Sequence, residues 1–440
     1  MVDQSELAWR IFSRRHGAHV AYTPMINSKH YSAVKNKGFR EANFSILNKE
    51  EGNPKIDRPL IVQFCGNDPD QLLKSAKLLE DHCDAVDLNL GCPQDIAKRG
   101  NYGAFLQDDW DLIYRIINTL HLNLKIPVTA KFRVFPTVEK TVEYAKMLER
   151  AGAQILTCHG RTREQRGVLA GLADWSKIKA IKEAVSVPVF ANGNILYFSD
   201  VAACLEATGA DAVMSAEGNL YNPAIFRPGL LSLANSEEKE ADSSPNEHEP
   251  QPKHIPDNPS TKTSPRLDMG GTRKFLSEHL PIADLALEYL EIVKQLKTPT
   301  EWSAIKGHLF KVLRPGFVKH TDLRDRLGKI PSPKAKPNVD EPVEQKGGFD
   351  QAEGIVQELK ERLENDMLEA EKEGKAGVKV DPETGRRIVP HWLSQPYFRP
   401  PPPPPPPNKR SKKDIREYLD ARKEEKERET QEASDKAAPL

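Results

Sequence analysis

Ten residues concentrate the chemistry of this chain: Asp84-Ala-Val-Asp-Leu-Asn-Leu-Gly-Cys-Pro93. An apolar strand pattern runs into a Gly-Cys-Pro turn, so the thiol of Cys92 stands at the C-terminal end of a strand. In a barrel of parallel strands that end is the catalytic rim. Gly91 is expected to permit a tight turn and Pro93 to set the exit angle, which together aim the sulfur. Taken alone, Cys92 reads first as a small buried hydrophobe, the usual fate of a free cysteine. Its neighbours decide otherwise.

Those neighbours must be positioned by strands, and the chain supplies them. From about residue 18 to about residue 230, short apolar runs at 19–22, 39–44, 60–64, 85–89, 128–133, 155–158, 189–191 and 212–215 alternate with helical periodicity at 69–83, 109–120, 137–151, 175–184 and 198–208. Several runs are almost continuous in Val, Ile and Leu, as strands covered on both faces require. Two helical segments close on Ala-Gly-Ala or Thr-Gly-Ala, a glycine stop before the next strand. Eight strands in βα alternation read as an α/β fold of (β/α)8 TIM-barrel type. An open doubly wound sheet is the alternative, because the second run is weak.

The strand ends, taken in order, offer a set of polar groups. They are Pro24-Met25-Ile26; Gln63; Asn89 with Cys92; Lys131-Phe132-Arg133; Cys158-His159-Gly160-Arg161-Thr162 followed by Arg163; Asn192-Gly193-Asn194; and Ala216-Glu217-Gly218-Asn219. Each has an ordinary explanation: His159 as a structural hydrogen-bonder, Lys131 as a surface cation, Asn192-Gly193 as a plain turn. Polar groups at six or seven successive strand ends are what a barrel active site needs. The last two loops fall where such barrels bind phosphate through backbone amides, which favours a phosphate-bearing cofactor. No His, Asp or Glu cluster has ligand spacing, so no metal is expected. The chain has neither a GxGxxG after a strand nor a Walker loop, which removes Rossmann and P-loop readings.

Bulk properties bound the rest. Across 440 residues the net charge is zero, only 38% are hydrophobic, and 35 are proline, which indicates an ordered core diluted by solvated segments. The five cysteines form no CxxC pair, against a zinc cluster or disulfide framework and for a reducing compartment. No apolar run is long enough to span a membrane, and no membrane partner is expected. Residues 1–17 are read as an N-terminal segment with a faint transit-peptide character (Arg10, Arg14, Arg15) weakened by Asp3 and Glu6. The compartment expected is cytoplasmic or nuclear, with mitochondrial left open. Residues 18–230 are the barrel and 236–264 a disordered polar insertion. Residues 266–330 form a small helical domain, whose first helix can precede the insertion. Its second half carries Lys306, Lys311, Arg314, Lys319, Arg324, Arg326 and Lys329 against Asp322 and Asp325, with His308 and His320 adding possible charge. That pattern suits a phosphate-backbone partner as well as an ordinary solvated face. Residues 331–440 read as a low-complexity tail, with a polyproline run at 400–407 and a charged helix candidate at 412–429.

The set Pro24-Met25, Gln63, Asn89-Leu90-Gly91-Cys92-Pro93, Lys131-Phe132-Arg133, Cys158-His159-Gly160-Arg161-Thr162 and Ala191-Asn192-Gly193-Asn194 resembles the flavin-dependent tRNA-dihydrouridine synthases. Gly100-Asn101-Tyr102-Gly103-Ala104-Phe105-Leu106, Ala216-Glu217-Gly218-Asn219-Leu220 and Asn222-Pro223-Ala224-Ile225-Phe226 extend the resemblance, most closely to the eukaryotic branch acting on uridines 16 and 17 of the tRNA D-loop. It covers about residues 18–330. The resemblance implies reduction of the uridine C5–C6 bond with FMN as cofactor, NADPH (or NADH) as reductant, Cys92 as proton donor to C5, tRNA as partner, and a protein acting as a monomer. It further implies FMN contacts from Pro24, Met25, Ile26, Gln63, Lys131, His159, Asn192, Gly193, Asn194, Ala216 and Glu217. Asn89 would orient the cysteine loop or meet the uracil edge. Arg133, Arg161, Arg163, Lys306, Lys311 and Arg314 remain for RNA. Glu217 departs from the Gly-Arg of many bacterial relatives, so its phosphate contact would be mainly main-chain. The competing readings are an FMN barrel reductase of a free pyrimidine and a non-catalytic tRNA-binding protein.

Overall fold

The computed structural model describes residues 4–227, 275–331, 346–382 and 385–398. The insertion at 236–264, the polyproline run and the charged 412–429 segment lie outside these residues.

The apolar runs of the first half become one parallel sheet. Its strands are β1 (Ala21–Tyr22), β2 (Ile26–Asn27), β3 (Leu60–Cys65), β4 (Ala85–Leu90), β5 (Val128–Arg133), β6 (Ile155–His159), β7 (Val189–Asn192) and β8 (Ala212–Met214). They pair in the order β1-β3-β4-β5-β6-β7-β8, with β2 on the upper end of β3. β3 and β4 are buried at every residue, which explains why they read as unbroken apolar runs. The helices between them start on side-chain caps: Asp68, Asp109, Thr137 and Asp174 accept from amides in the first turn of the helices Pro69–Leu79, Trp110–Asn123, Val138–Arg150 and Trp175–Ala184. The sheet is curled in barrel fashion. The Tyr22 hydroxyl on β1 lies 3.1 Å from Thr157 Oγ1 on β6, a contact a flat sheet of this order forbids.

One expected strand is absent. Residues 39–43 lie in the helix Lys37–Asn43; the flanking Phe44 sinks into the core, and Phe39 packs against it in part. Its polar stretch Arg40-Glu41-Ala42-Asn43 has no neighbouring strand to pair with, and the Arg40 guanidinium instead holds the Ala33 carbonyl at 2.9 Å.

The N-terminal and C-terminal boundaries also differ from expectation. The helix Leu7–Arg15 buries Ala8, Trp9 and Phe12 in a second hydrophobic core with the helices Ile282–Gln295, Trp302–Val312, Arg314–Lys319 and Thr321–Lys329. Residues 331–440 are not all tail. The helix Lys346–Lys372 packs Phe349, Ala352, Val356, Leu359 and Leu363 into the same core, and a short antiparallel pair, Lys379–Val380 with Arg387–Ile388, follows it. Those five positions recur at three- and four-residue steps, an amphipathic stripe that outweighs the charged composition.

The N-terminal helix ties the two cores together. Arg10, 1% exposed, donates from Nε and Nη2 to both oxygens of fully buried Asp57, at 2.8 and 2.7 Å, and from Nη2 to Glu51 at 3.2 Å. On its other face Trp9 stacks on His308 with centroids 3.8 Å apart, and Glu6 accepts from Tyr289 and pairs with His308. A bidentate buried pair is costly to break from one side, since the carboxylate stays behind uncompensated. Arg10→Ala is therefore expected to destabilise the protein by about 3–5 kcal/mol. Arg15→Ala, on an exposed pair with Glu288, should cost about 0–1 kcal/mol. Denaturant midpoints compare the two directly, and equal shifts would rule out the strut.

Candidate active site

At the top of β4 the backbone turns outward, and Asn89 makes the turn. Its side-chain Oδ1 accepts from the amides of Gly91, at 3.1 Å, and Cys92, at 2.9 Å. Gly91 is not in the left-handed region, and a Cβ there would meet neighbours only at ordinary contact distance. The glycine this loop demands is Gly103. Its φ is +64°, and a Cβ would stand 2.8 Å from the Cys92 carbonyl oxygen, which accepts from Ala104 N at 3.0 Å. Cys92 thus sits between Asn89 and the 103–106 segment. It shares a small apolar cluster with Met25, Cys65, Tyr102 and Phe105, which brings the ends of β1 and β4 together. Cys65, Cys83, Cys158 and Cys204 are buried and burial pushes each thiol up, Cys65 and Cys83 to about 12 and Cys204 to about 11. Cys92 is the only cysteine in the chain that is not fully buried.

Beneath the loop runs a directional chain of hydrogen bonds. Buried Asp87 accepts from Thr129 Oγ1 at 2.7 Å and from Gln63 Nε2 at 2.8 Å. Gln63 Oε1 then accepts from Asn89 Nδ2 at 2.8 Å. An ionised carboxylate can only accept, so it fixes which end of Gln63 faces it, and Gln63 in turn fixes Asn89. Burial raises the Asp87 carboxyl to about 6, against the opposing pull of Thr129, Gln63 and Lys131. Asp87 was missed from sequence, although it lies two residues before Asn89 and so on the same strand face.

Lys131 stands beside Asn89 on β5 and is half-buried. No hydrogen bond or ion pair among the described residues engages its ammonium. Burial, then nearby Arg133, lowers it to about 8. Arg133, though expected at the RNA, braces loops instead: Nε donates to Gly91 O at 2.8 Å and Nη1 to the carbonyls of Thr162 and Gln165. Arg163 holds Asp108 at 2.7 Å and lies over the Phe105 ring. Arg166, not singled out from sequence, holds the Pro93 carbonyl and Asp95. Three arginines from the β5 and β6 loops thereby clamp the cysteine loop and the segment after it. Arg161 has a different environment. It donates to His159 Nε2 at 3.0 Å and to Asn194 Oδ1 at 2.9 Å. A guanidinium has no acceptor, so His159 accepts through Nε2 and carries its proton on Nδ1.

Asn192 holds the Met214 carbonyl and so joins β7 to β8. Gly193 has φ +115°, and a Cβ there would come 2.6 Å from Ala173 Cβ. Asn194 follows at φ +65° and is pinned by both amide atoms to Ala173. The amides of Gly193, Asn194 and Ile195, and that of Ala216 on the next loop, have no acceptor among the described residues. Glu217 opens the short helix Glu217–Tyr221. Pro24 stands in the turn after β1, where its carbonyl accepts from Thr23 Oγ1. Ile26, expected at the cofactor, has its side chain wholly inside the barrel core.

The basic face of the helical domain is partly neutralised. The long helix supplies Glu358 to Arg326 and Asp366 to Lys319 and His320, while Arg324 pairs with Asp325. Lys306 caps the carbonyls of Gly328 and Ile330, Lys311 reaches Gly307 O, and His308 is buried. Arg314 stays exposed over the Tyr397 ring, and Lys329 stays exposed.

Comparison with known proteins follows from this geometry. Residues 1–275 match the family described as Dihydrouridine synthase (Dus). The tRNA-dihydrouridine(16/17) synthase [NAD(P)(+)] of Saccharomyces cerevisiae is 46% identical over 91% of this chain and 82% of its own length. That of Schizosaccharomyces pombe is 41% identical over 91% and 86%. The Homo sapiens tRNA-dihydrouridine(20a/20b) synthase [NAD(P)+]-like protein is 34% identical, over 51% of this chain and 68% of its own length.

The Asp87 chain yields a stability prediction whose sign follows from linkage. Its folded pKa of about 6 lies above the ordinary aspartate value of about 3.9, so the native state holds the proton longer and loses stability as pH rises through that window. Asp87→Asn removes the penalty. Relative to the native protein its melting temperature should gain between pH 4 and pH 7 and level off above, at no more than about 1.4 kcal/mol per pH unit. A difference that does not change with pH would show that Asp87 is not held in this state.

Proposed function

The chain belongs to the dihydrouridine synthase family, and from that premise we infer that it is an NAD(P)-linked oxidoreductase forming 5,6-dihydrouridine in tRNA, and propose uridines 16 and 17 as its targets. The observation that carries the choice of positions is coverage. Likeness to the 16/17 synthases extends over 91% of the chain, through the helical domain, whereas likeness to the 20a/20b relative stops at 51%.

The family's cofactor, FMN, fits the residues at the barrel mouth. A dianionic phosphate suits the amides of Gly193, Asn194, Ile195 and Ala216, which have no acceptor among the described residues, with the Arg161 guanidinium nearby. On this reading Arg161 serves the cofactor rather than the RNA. Pro24 and Met25 would flank the ring, and Lys131 and the second amide hydrogen of Gln63 would serve its polar edge. His159 and Asn192 hold the loops between. FMN when bound supplies the electrons that saturate the C5–C6 bond.

Everything else falls to the chain. A positive Lys131 favours negative charge at the mouth, and it is positive below about pH 8. Cys92 gives its Sγ proton to C5 of the uracil, on a loop whose position Asn89, Arg133 and Gly103 determine. The target base leaves the RNA stack to reach it, at a cost that a loop uridine keeps small. Arg314 and Lys329 are the helical-domain cations best placed to hold phosphates, since several others already have partners.

Cys92→Ala should retain FMN, seen by its absorbance, and NADPH oxidation, while dihydrouridine at positions 16 and 17 falls to background by mass spectrometry of tRNA. Undiminished dihydrouridine would remove the thiol from the mechanism. Replacing Arg314 and Lys329 together by Ala should weaken tRNA binding and lower the slope of log affinity against log salt by about 1–2. An unchanged slope would move the RNA contact elsewhere.

A further inference from the structure

In the helical region, three segments converge on one carboxylate. Asp366 Oδ2, near the end of the long helix, receives His320 Nε2 at 2.8 Å and His391 Nε2 at 2.7 Å. His320 ends the helix Arg314–Lys319, and His391 belongs to the C-terminal segment beyond Arg387–Ile388. All three ligand atoms lie within 4.8 Å of one another. We propose that His320, Asp366 and His391 form a divalent transition-metal site, of zinc-binding chemistry, that staples the C-terminal segment to the helical domain.

The donor set supports this. Two imidazoles and one monodentate carboxylate are common ligands of zinc and its neighbours, while magnesium and calcium prefer all-oxygen sets. Both rings direct the same nitrogen at the same oxygen, so a cation placed there meets all three ligands with small side-chain movements. Neutral imidazoles need only shift their protons to Nδ1 to ligate through Nε2. Lys319 holds the other oxygen, Oδ1, at 2.6 Å and leaves Oδ2 for the metal. The His391 side chain is 30% exposed, which leaves a path for the ion and room for water as a further ligand.

The ligands are 46 and 25 residues apart in the chain, which is why no local spacing announced them and a metal was not expected. The segment they would secure does more than end the fold. Ile282 N donates to Trp392 O and Ser394 N to Leu280 O, and six residues beyond His391 the Tyr397 ring stacks on Tyr221 at 5.2 Å. Tyr221 closes the helix that follows β8. A metal at Asp366 therefore steadies a strap running from the helical domain to the barrel.

The test uses untagged full-length protein stripped with chelator and then dialysed, given zinc chloride or, as a control, magnesium chloride. Bound metal is counted by elemental analysis and melting temperature read alongside. The native protein should retain one zinc more than His391→Gln and melt a few degrees higher with zinc, with no response to magnesium. His391→Gln keeps an N–H donor for Asp366, and the backbone anchors at 392 and 394 remain, so it should fold; His320→Gln should behave alike. Absence of a zinc response in the native protein, or an equal response in both variants, would reduce the cluster to hydrogen bonds and overturn the site.

Discussion

An ionised carboxylate has no proton to donate, and the architecture of the barrel mouth follows from that constraint at Asp87. Buried on β4, it orients Gln63 on β3, which orients Asn89 back on β4, which holds the amides of Gly91 and Cys92. Each amide side chain in this relay has two near-isosteric orientations, and the carboxylate selects one. The result is a thiol whose place is determined from the barrel interior rather than by its own loop. The cost is an acid kept charged where burial disfavours it, a pattern found where function rather than stability governs a residue.

The same logic of buried charge operates where the two cores meet. Arg10 is nearly inaccessible, yet its guanidinium is matched by Asp57 and Glu51 from the barrel side, while Trp9, one residue away, packs against His308 and donates to Asn219. Asn219 belongs to the helix that follows β8. The N-terminal helix thus joins the second core to buried carboxylates on the barrel side and to the loop proposed to hold phosphate. A helical domain held in this way keeps a defined position relative to the mouth.

Much of this was legible in the order of residues, and the failures have physical causes. Buried parallel strands write themselves as apolar runs, so seven of eight were found near their true bounds; the eighth expectation failed at 39–44, where two aromatics five residues apart suit a helix as readily as a strand. The long helix Lys346–Lys372 was overlooked because its composition is charged, although its apolar stripe has helical spacing. Arg133 and Arg163 were left for RNA because a sequence displays charge but not partners; in the fold their guanidiniums meet backbone carbonyls and Asp108. Gly91 drew notice by standing beside the cysteine, whereas Gly103, twelve residues on, is where the chain cannot accept a Cβ.

Sequence alone determined most barrel elements, the thiol at a strand end and the family, because strand periodicity, turn residues and motif order are local properties of the chain. Tertiary structure alone decided which charges are available. Lys131 has no hydrogen-bond or ion-pair partner among the described residues, Arg161 turns to His159 and Asn194, and Asp366 gathers two histidines from separate segments. Hydrogen-bond partners tens of residues apart leave no periodic trace in a sequence. They exist only once curvature and packing bring their backbones within reach.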